Sequence, residues 1–280
     1  MHIRKFILFS YLTINMIIPL TLIADELVVN GGIFIHEISK ERFHRGLSHK
    51  EVKLATYRHN DKHYLIYGIP YNSQIGKTSL KIKDGSNYFN INFNINEKNF
   101  KKQHIKVSNK YIDPNKSDLE RIKNERLNIL NAKSFWYKNN IDLDFITPIE
   151  GMLTGEFGTR RFYNGTEGRF HNGIDLAAEK GVLISAPSSG KVILTGNYYY
   201  NGKFIYLDHG KGLKSIFIHL DEILVENGQL IEKGDFIGKI GSTGKSTGPH
   251  LHWSVILNNV YINPLMLIDK KIIRHFSLER

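Results

Sequence analysis

Glycine sets the terms for the second half of this chain. From Phe145 to about Ile268 it recurs at Gly151, Gly155, Gly158, Gly165, Gly168, Gly173, Gly181, Gly190 and onward. Each one weakens a helix interior by about 1 kcal/mol relative to alanine and supplies the backbone freedom that tight turns need. Tyr, Phe and Ile recur in short alternating runs, the period-two signature of strands with one buried face. The expectation is a mainly β protein: a small N-terminal β domain plus a helix, then a Gly-rich antiparallel β domain. No fixed-period repeat points to a solenoid.

Residues 25–115 read as the N-terminal β domain. Ile33-Phe-Ile-His36, His63-Tyr-Leu-Ile-Tyr67 and Tyr88-Phe-Asn-Ile-Asn-Phe-Asn-Ile95 have strand character, with turns at Gly31-Gly32, Pro70-Tyr-Asn-Ser and Asp84-Gly85. Ser117-Asp-Leu-Glu120 has the capping-box pattern and opens a helix to about Leu130, with Leu119, Ile122, Leu127 and Leu130 as its apolar side. A Lys- and Asn-containing stretch from Lys138 to Asp144 then acts as a separator. Residues 116–144 are thus helix and linker, 145–268 the second domain and 269–280 a basic tail. A chain of 280 residues, 41% hydrophobic, can bury cores for two such domains.

The amino end has Arg4 and Lys5, an apolar run from Phe6 to Ile23, and Ala24 before Asp25-Glu26. That is a signal-peptide layout over residues 1–24, with cleavage after Ala24. Uncleaved, the run is just long enough for membrane association as an anchor, although Ser10, Thr13, Asn15 and Pro19 interrupt it. Either route makes the chain an exported protein of the periplasm or cell envelope. Zero cysteines exclude disulfides and thiolate metal sites, so any metal must rest on His, Asp or Glu. The net charge of +11 suits an anionic partner such as cell wall or a lipid surface, and equally a generally Lys-rich solvated surface. Export and the lack of an aromatic-basic module argue against nucleic acid. No residue pattern assigns an oligomeric state.

The chemistry concentrates in histidine. His36, His44, His49, His59, His63 and His104 in the first half, and His275 in the tail, lack ligand spacing and read as surface or core residues. His171, His209, His219, His250 and His252 lie in the second half. If Ser246-Thr-Gly-Pro-His-Leu-His252 ends in a strand, His250 and His252 point to one face, where one can bind a metal while the other handles a proton. His171 and Asp175, four apart around Gly173, can converge on one ion, and one member of the His250/His252 pair completes three ligands that leave a fourth position open to water. His219-Leu220 follows the strand-like Ser215-Ile-Phe-Ile218. Two other readings fail. Gly244-Lys245-Ser246 imitates the end of a phosphate-binding loop, but Lys239 stands where that loop needs glycine and no helix follows Gly248-Pro249. Gly-x-Ser-x-Gly is absent.

These residues carry a resemblance. Gly155-Glu-Phe-Gly158, Arg169-Phe-His-Asn-Gly-Ile-Asp175, Ala186-Pro-Ser-Ser-Gly-Lys-Val192, Asp208-His-Gly210, His219-Leu220, Val225-Glu-Asn-Gly228 and Gly238 through His252 resemble the lysostaphin-type zinc peptidoglycan endopeptidases, over roughly Phe145 to Leu267. The resemblance implies one zinc ion per catalytic domain held by His171, Asp175 and His252, with His219 and His250 as an unligated catalytic pair. It leaves His209 without a catalytic role, as a turn residue before Gly210. Phe217 stands where the family often has tyrosine and reads as a packing change; Tyr163 lies near the position of a family tyrosine that helps the transition state.

The implied activity is hydrolysis of peptidoglycan stem-peptide cross-links, of the D-Ala to diaminopimelate, D,D-type. Gly-rich loops, including Gly241 to Gly248, would wall the groove. The first half is similar, more faintly, to the β domain preceding the catalytic unit in Gram-negative D,D-endopeptidases, through Val29-Asn-Gly-Gly32, Gly68-Ile-Pro70, Glu97-Lys-Asn-Phe-Lys-Lys-Gln103 and Asp118-Leu-Glu-Arg-Ile122. Because such domains cover the groove in relatives, a truncation starting near Asp144 is expected to digest wall faster. The opposing reading is a non-enzymatic wall-binding protein, or an activator of cell-wall amidases, that uses the same fold for docking.

Overall fold

The period-two pattern of the first half folds as expected. In the computed structural model, which describes residues 27–268, strands β1 (Ile33–Ile38), β2 (Ala55–His59) and β3 (Lys62–Gly68) form an antiparallel sheet in the order β1-β3-β2. A short helix α1 (Lys40–Arg45) intervenes. Strands β4 (Gly76–Asp84) and β5 (Asn87–Ile95) make a hairpin that turns at Gly85, where φ is 63° and glycine is favoured. Leu80 and Ile82 of β4 and Ile91 and Ile95 of β5 face inward onto Phe34, Leu65 and Ile69, while Lys77, Ser79, Asn90 and Asn92 alternate outward. The signal segment, Ala24, the basic tail and His275 lie outside the described residues.

The other face of the first sheet does not meet water. Ile33, Ala55, Tyr64 and Ile66 share one continuous core with Phe157, Ile174, Leu257 and Ile262 of the second half. The stretch after the helix joins that core as well: Ile141, Leu143 and Phe145 are buried, and Lys211 N–H donates to Tyr137 O at 2.7 Å. Residues 141–145 thus pack by alternate side chains onto the core, while 138–140 stay exposed.

Strand β6 (Lys102–Ile105) leads to helix α2 (Lys116–Ser134). Here the structure corrects three expectations. The N-cap is Asn115, not Ser117: its side chain accepts from Asp118 N–H at 2.9 Å, and Ser117 Oγ donates to it at 2.7 Å. The helix also runs four residues past Leu130. Its packed side is not the leucine stripe, since Leu119, Leu127 and Leu130 are exposed. Instead Ile129 and Ala132 pack on Phe204, Tyr206 and Ile256, and Arg121, Glu125 and Asn128 bond the backbone and side chains of residues 197–199.

The second half is built on one antiparallel sheet. Its long strands are β7 (Met152–Gly155), β9 (Ile174–Ala177), β10 (Gly190–Tyr198), β11 (Gly202–Gly210), β12 (Leu213–Leu220) and β13 (His250–Leu257), with β8 (Arg160–Tyr163) set apart in a smaller sheet. The main sheet runs β10-β11-β12-β13-β9-β7, with β14 (Val260–Ile262) also on β13. The smaller sheet joins β8 to the hairpin return Thr166–Glu167 and, in parallel, to β6 from the first half. His209, expected in a turn, lies near the end of β11 and is buried. Its neutral ring serves the fold, because Nδ1 donates to Ser189 O at 2.9 Å and Nε2 faces Ser215 Oγ at 2.8 Å.

Candidate active site

Strand pairing brings the sequence-distant residues together. β9 and β13 are antiparallel neighbours with Asp175 opposite His252, so carboxylate and imidazole start from adjoining backbones. His250, two residues before His252, projects from the same face. His171 sits just before β9 in a loop tied by Gly158 N–H to His171 O at 2.7 Å and His171 N–H to Thr159 O at 2.9 Å. Gly173 allows the approach: a Cβ there would lie 2.4 Å from Trp253 O and 2.8 Å from His252 Nε2.

His171, Asp175 and His252 form a buried cluster whose donor atoms lie within 4.8 Å of one another. His171 Nε2 is 3.0 Å from Asp175 Oδ1, His252 Nδ1 is 2.8 Å from the same oxygen, and the two ring nitrogens are 2.9 Å apart. The outward nitrogens decide the tautomers. His171 Nδ1 faces Glu156 O at 2.8 Å and must donate to it. His252 Nε2 meets Ser254 Oγ at 2.8 Å, whose hydroxyl is turned toward Asn172 Oδ1. Both rings thus aim lone pairs at one point beside a carboxylate oxygen, an arrangement that repels itself unless a cation stands there. The three residues fit a metal ion of the His/carboxylate-binding class.

Electrostatics agree with that fit. Burial alone would raise the Asp175 carboxyl, but the polar contacts with the adjoining His171 and His252 rings outweigh it and hold the group well below the usual carboxylate range. Burial lowers His252 to about 4 against the opposing pull of Asp175. His219 falls to about 3 through burial and then the neighbouring His252 and His250. Neutral imidazoles are what metal ligation and proton acceptance both require.

His219 and His250 flank the cluster, with ring centroids 5.0 Å apart, and His250 Nε2 is 3.8 Å from Asp175 Oδ1. A register shift between β11 and β12 marks a bulge at His219, whose φ is 68°. That left-handed backbone is uncommon for a non-glycine residue, and the bulge re-aims the ring toward the site. Nδ1 of His219 donates to Thr243 O at 2.8 Å, and Nδ1 of His250 donates to Gly248 O at 2.8 Å, which leaves both Nε2 atoms as acceptors. Loop 241–248 therefore orients both rings.

Other expected residues fall into place around this group. Phe217 is fully buried and lies parallel to Trp253, as a packing change would. Tyr163 packs its ring against Gly168 and under the Lys245 ammonium, 3.3 Å from its centroid. Among the described residues, the first-half histidines take no part in the cluster. Sequence reasoning missed Arg161, which donates to Asp175 Oδ2, because Arg160-Arg161 looks like ordinary surface charge. Ser254 could have been found: two residues beyond His252 on the same strand face, it is where a ring-orienting hydroxyl must stand.

Residues 169–264 match Peptidase family M23. The second half contains an M23 peptidase domain. Among curated proteins, the chain is similar to peptidoglycan DD-endopeptidase ShyB of Vibrio cholerae, 38% identical over 110 residues, and to ShyA of the same organism, 34% identical over 114 residues. These matches cover 39% and 40% of this chain and 26% of each relative, so the chain aligns with about a quarter of their length. A crystal structure of a Pseudomonas aeruginosa protein placed in peptidase M23 superposes with a TM-score of 0.72 at 28% identity, covering 88% of this chain and 98% of that one. The likeness to that structure reaches beyond the M23 domain into the first half.

Proposed function

We propose that the protein is a zinc-dependent endopeptidase that hydrolyses peptide cross-links of peptidoglycan, of the D-Ala to diaminopimelate, D,D-type. The carrying observation is the facing pair of imidazole lone pairs, 2.9 Å apart, against one oxygen of Asp175. His171, Asp175 and His252 would hold a single zinc, whose Lewis acidity lowers the pKa of water and polarises a carbonyl. His219 and His250 present free Nε2 atoms over the same point, one placed to take a proton from the attacking water and the other to stabilise the carbonyl oxygen and protonate the leaving amine. Relatives named as DD-endopeptidases support the substrate class, and a peptidoglycan substrate supports an extracytoplasmic enzyme, of the periplasm or cell envelope.

The same reading includes restraint of the groove by the N-terminal region. Residues 105–111 run from the β8 hairpin, where Asn164 bonds Ile105 and Val107, to loop 241–248, where Tyr111 Oη donates to Gly244 O. With Lys245 on Tyr163, these contacts hold the two walls of the site together.

Purified peptidoglycan digested with and without chelator, and analysed by mass spectrometry, tests the proposal. Cross-linked dimers should become monomers by cleavage at the D-Ala to diaminopimelate bond, and chelator should stop it. Binding to wall without peptide release, indifferent to chelator, would establish the non-enzymatic docking reading instead.

A further inference from the structure

We propose that Arg161 is a positioning residue for the metal-binding carboxylate of Asp175, and that Gln103 on β6 holds Arg161 in place, so that the segment before the long helix is a working part of the metal centre. The inference rests on the reading that His171, Asp175 and His252 hold a metal. The two oxygens of Asp175 have different surroundings. Oδ1 faces both histidines, whereas Oδ2 accepts from Arg161 Nη2. Both side chains are largely shielded, with 14% exposure for Arg161 and 11% for Asp175, so water does not dissolve the pair.

The guanidinium is gripped at its other edge too. Arg161 Nε donates to Gln103 Oε1 at 3.2 Å. This meeting follows from the parallel pairing of β6 with β8, which sets Gln103 opposite Arg161. Arg160 N–H to Lys101 O at 2.8 Å and Asn164 N–H to Ile105 O at 3.0 Å extend the pairing at either end. Space for the contact comes from Gly155: a Cβ there would lie 2.4 Å from Asp175 Oδ2 and 3.0 Å from Arg161 Nη2.

The same segment braces a second donor. His171 is oriented by Glu156 O, and the Glu156 carboxylate is paired with Lys101 Nζ at 2.6 Å. Phe100 lies against Gly158, whose N–H bonds His171 O. Residues 100–105 thus stand behind two of the three candidate ligands.

The chemistry of the contact is specific. A charged donor on Oδ2 leaves only Oδ1 for the metal, which keeps the carboxylate monodentate and a coordination position open. Only a planar fork can bond Asp175 and Gln103 at once; a lysine ammonium at this position supplies charge without that bridge.

The test uses the full chain carrying Arg161→Gln, Arg161→Lys, Gln103→Leu or Gln103→Glu, with zinc affinity read by competition against a chromophoric chelator. Arg161→Gln should lose affinity about 10–100-fold, the usual cost of removing an outer partner of a metal ligand. Arg161→Lys and Gln103→Leu should fall between it and wild type, and Gln103→Glu, which keeps the acceptor, should restore wild-type affinity. The cobalt-substituted Arg161→Gln protein should show weaker visible absorption, as Asp175 turns bidentate and coordination rises from four to five. Circular dichroism of the zinc-free proteins checks the fold. Should Arg161→Gln not fold, Gln103→Leu against Gln103→Glu decides by the same criterion. Wild-type zinc affinity and an unchanged cobalt spectrum in folded variants would overturn the inference alone. A wild-type protein that binds no zinc would overturn the reading of the site along with it.

Discussion

Replacing His209 by glutamine should flatten the pH dependence of stability. Burial holds this ring at about 4, against 6.5 for an ordinary histidine. Trp253 Nε1 donates to Ser215 Oγ at 3.1 Å, Ser215 in turn donates to His209 Nε2, and His209 Nδ1 donates to Ser189 O; the chain of donors closes only with a neutral ring. Because the folded value is the lower one, the unfolded chain binds the extra proton. The contribution is complete above about pH 6.5 and is lost as pH falls toward 4; the loss is about 2 kcal/mol at pH 5 and about 3 kcal/mol at pH 4. The assay is urea unfolding of zinc-free wild type and His209→Gln at pH 7.5 and 5, about 2.5 units apart. The variant should be weaker at neutral pH by about 1–3 kcal/mol, through the broken hydrogen bonds. That deficit should shrink by about 2 kcal/mol at the acidic end. A deficit that stays constant across the two pH values would refute the argument that a buried neutral imidazole causes the acid sensitivity.

Metal analysis should show zinc lost from His171→Ala but retained by His250→Ala, with both inactive on peptidoglycan; zinc loss in the second variant would contradict the division of roles. Tyr111→Phe removes the hydroxyl bonded to Gly244 O and should speed wall digestion by freeing residues 105–111 from the groove, whereas equal or slower digestion counts against restraint. That variant is a cleaner probe than truncation near Asp144, which also removes Gln103 and uncovers the core shared by Tyr64 and Ile66 with Leu257 and Ile262. Leu127→Ser, on the exposed stripe of α2, should change unfolding free energy by less than about 0.5 kcal/mol; a larger loss would mean that the face is packed.

What the sequence made legible was whatever a short-range pattern encodes. Tyr88–Ile95 alternates, and β5 places its isoleucines inward and asparagines outward as alternation demands. His250 and His252 share a face because they share a strand. Helix α2 misled because its sequence carries two apolar stripes, and only the position of β10 and β11 determines that Ile129 and Ala132, rather than Leu127 and Leu130, are covered. His209 looked like a turn residue because Gly210 follows it, but β11 persists through Gly210 before turning. Arg161 was silent for a different reason. Its meaning comes from Gln103, 58 residues earlier, and from Asp175 on another strand, and no local pattern links the three.

The pairing of β9 with β13 also has a temporal side. His171 and His252 touch across 81 residues of chain, and β13 is the last long strand to be made. A ribosome delivers Gln103 and Arg161 early, and they can pair at once, but the second imidazole arrives only after nearly everything else has been synthesised. Contacts this distant in sequence are slow to form and are made late in folding. A nascent chain therefore lacks His252, one of the three donors that the candidate metal site brings together.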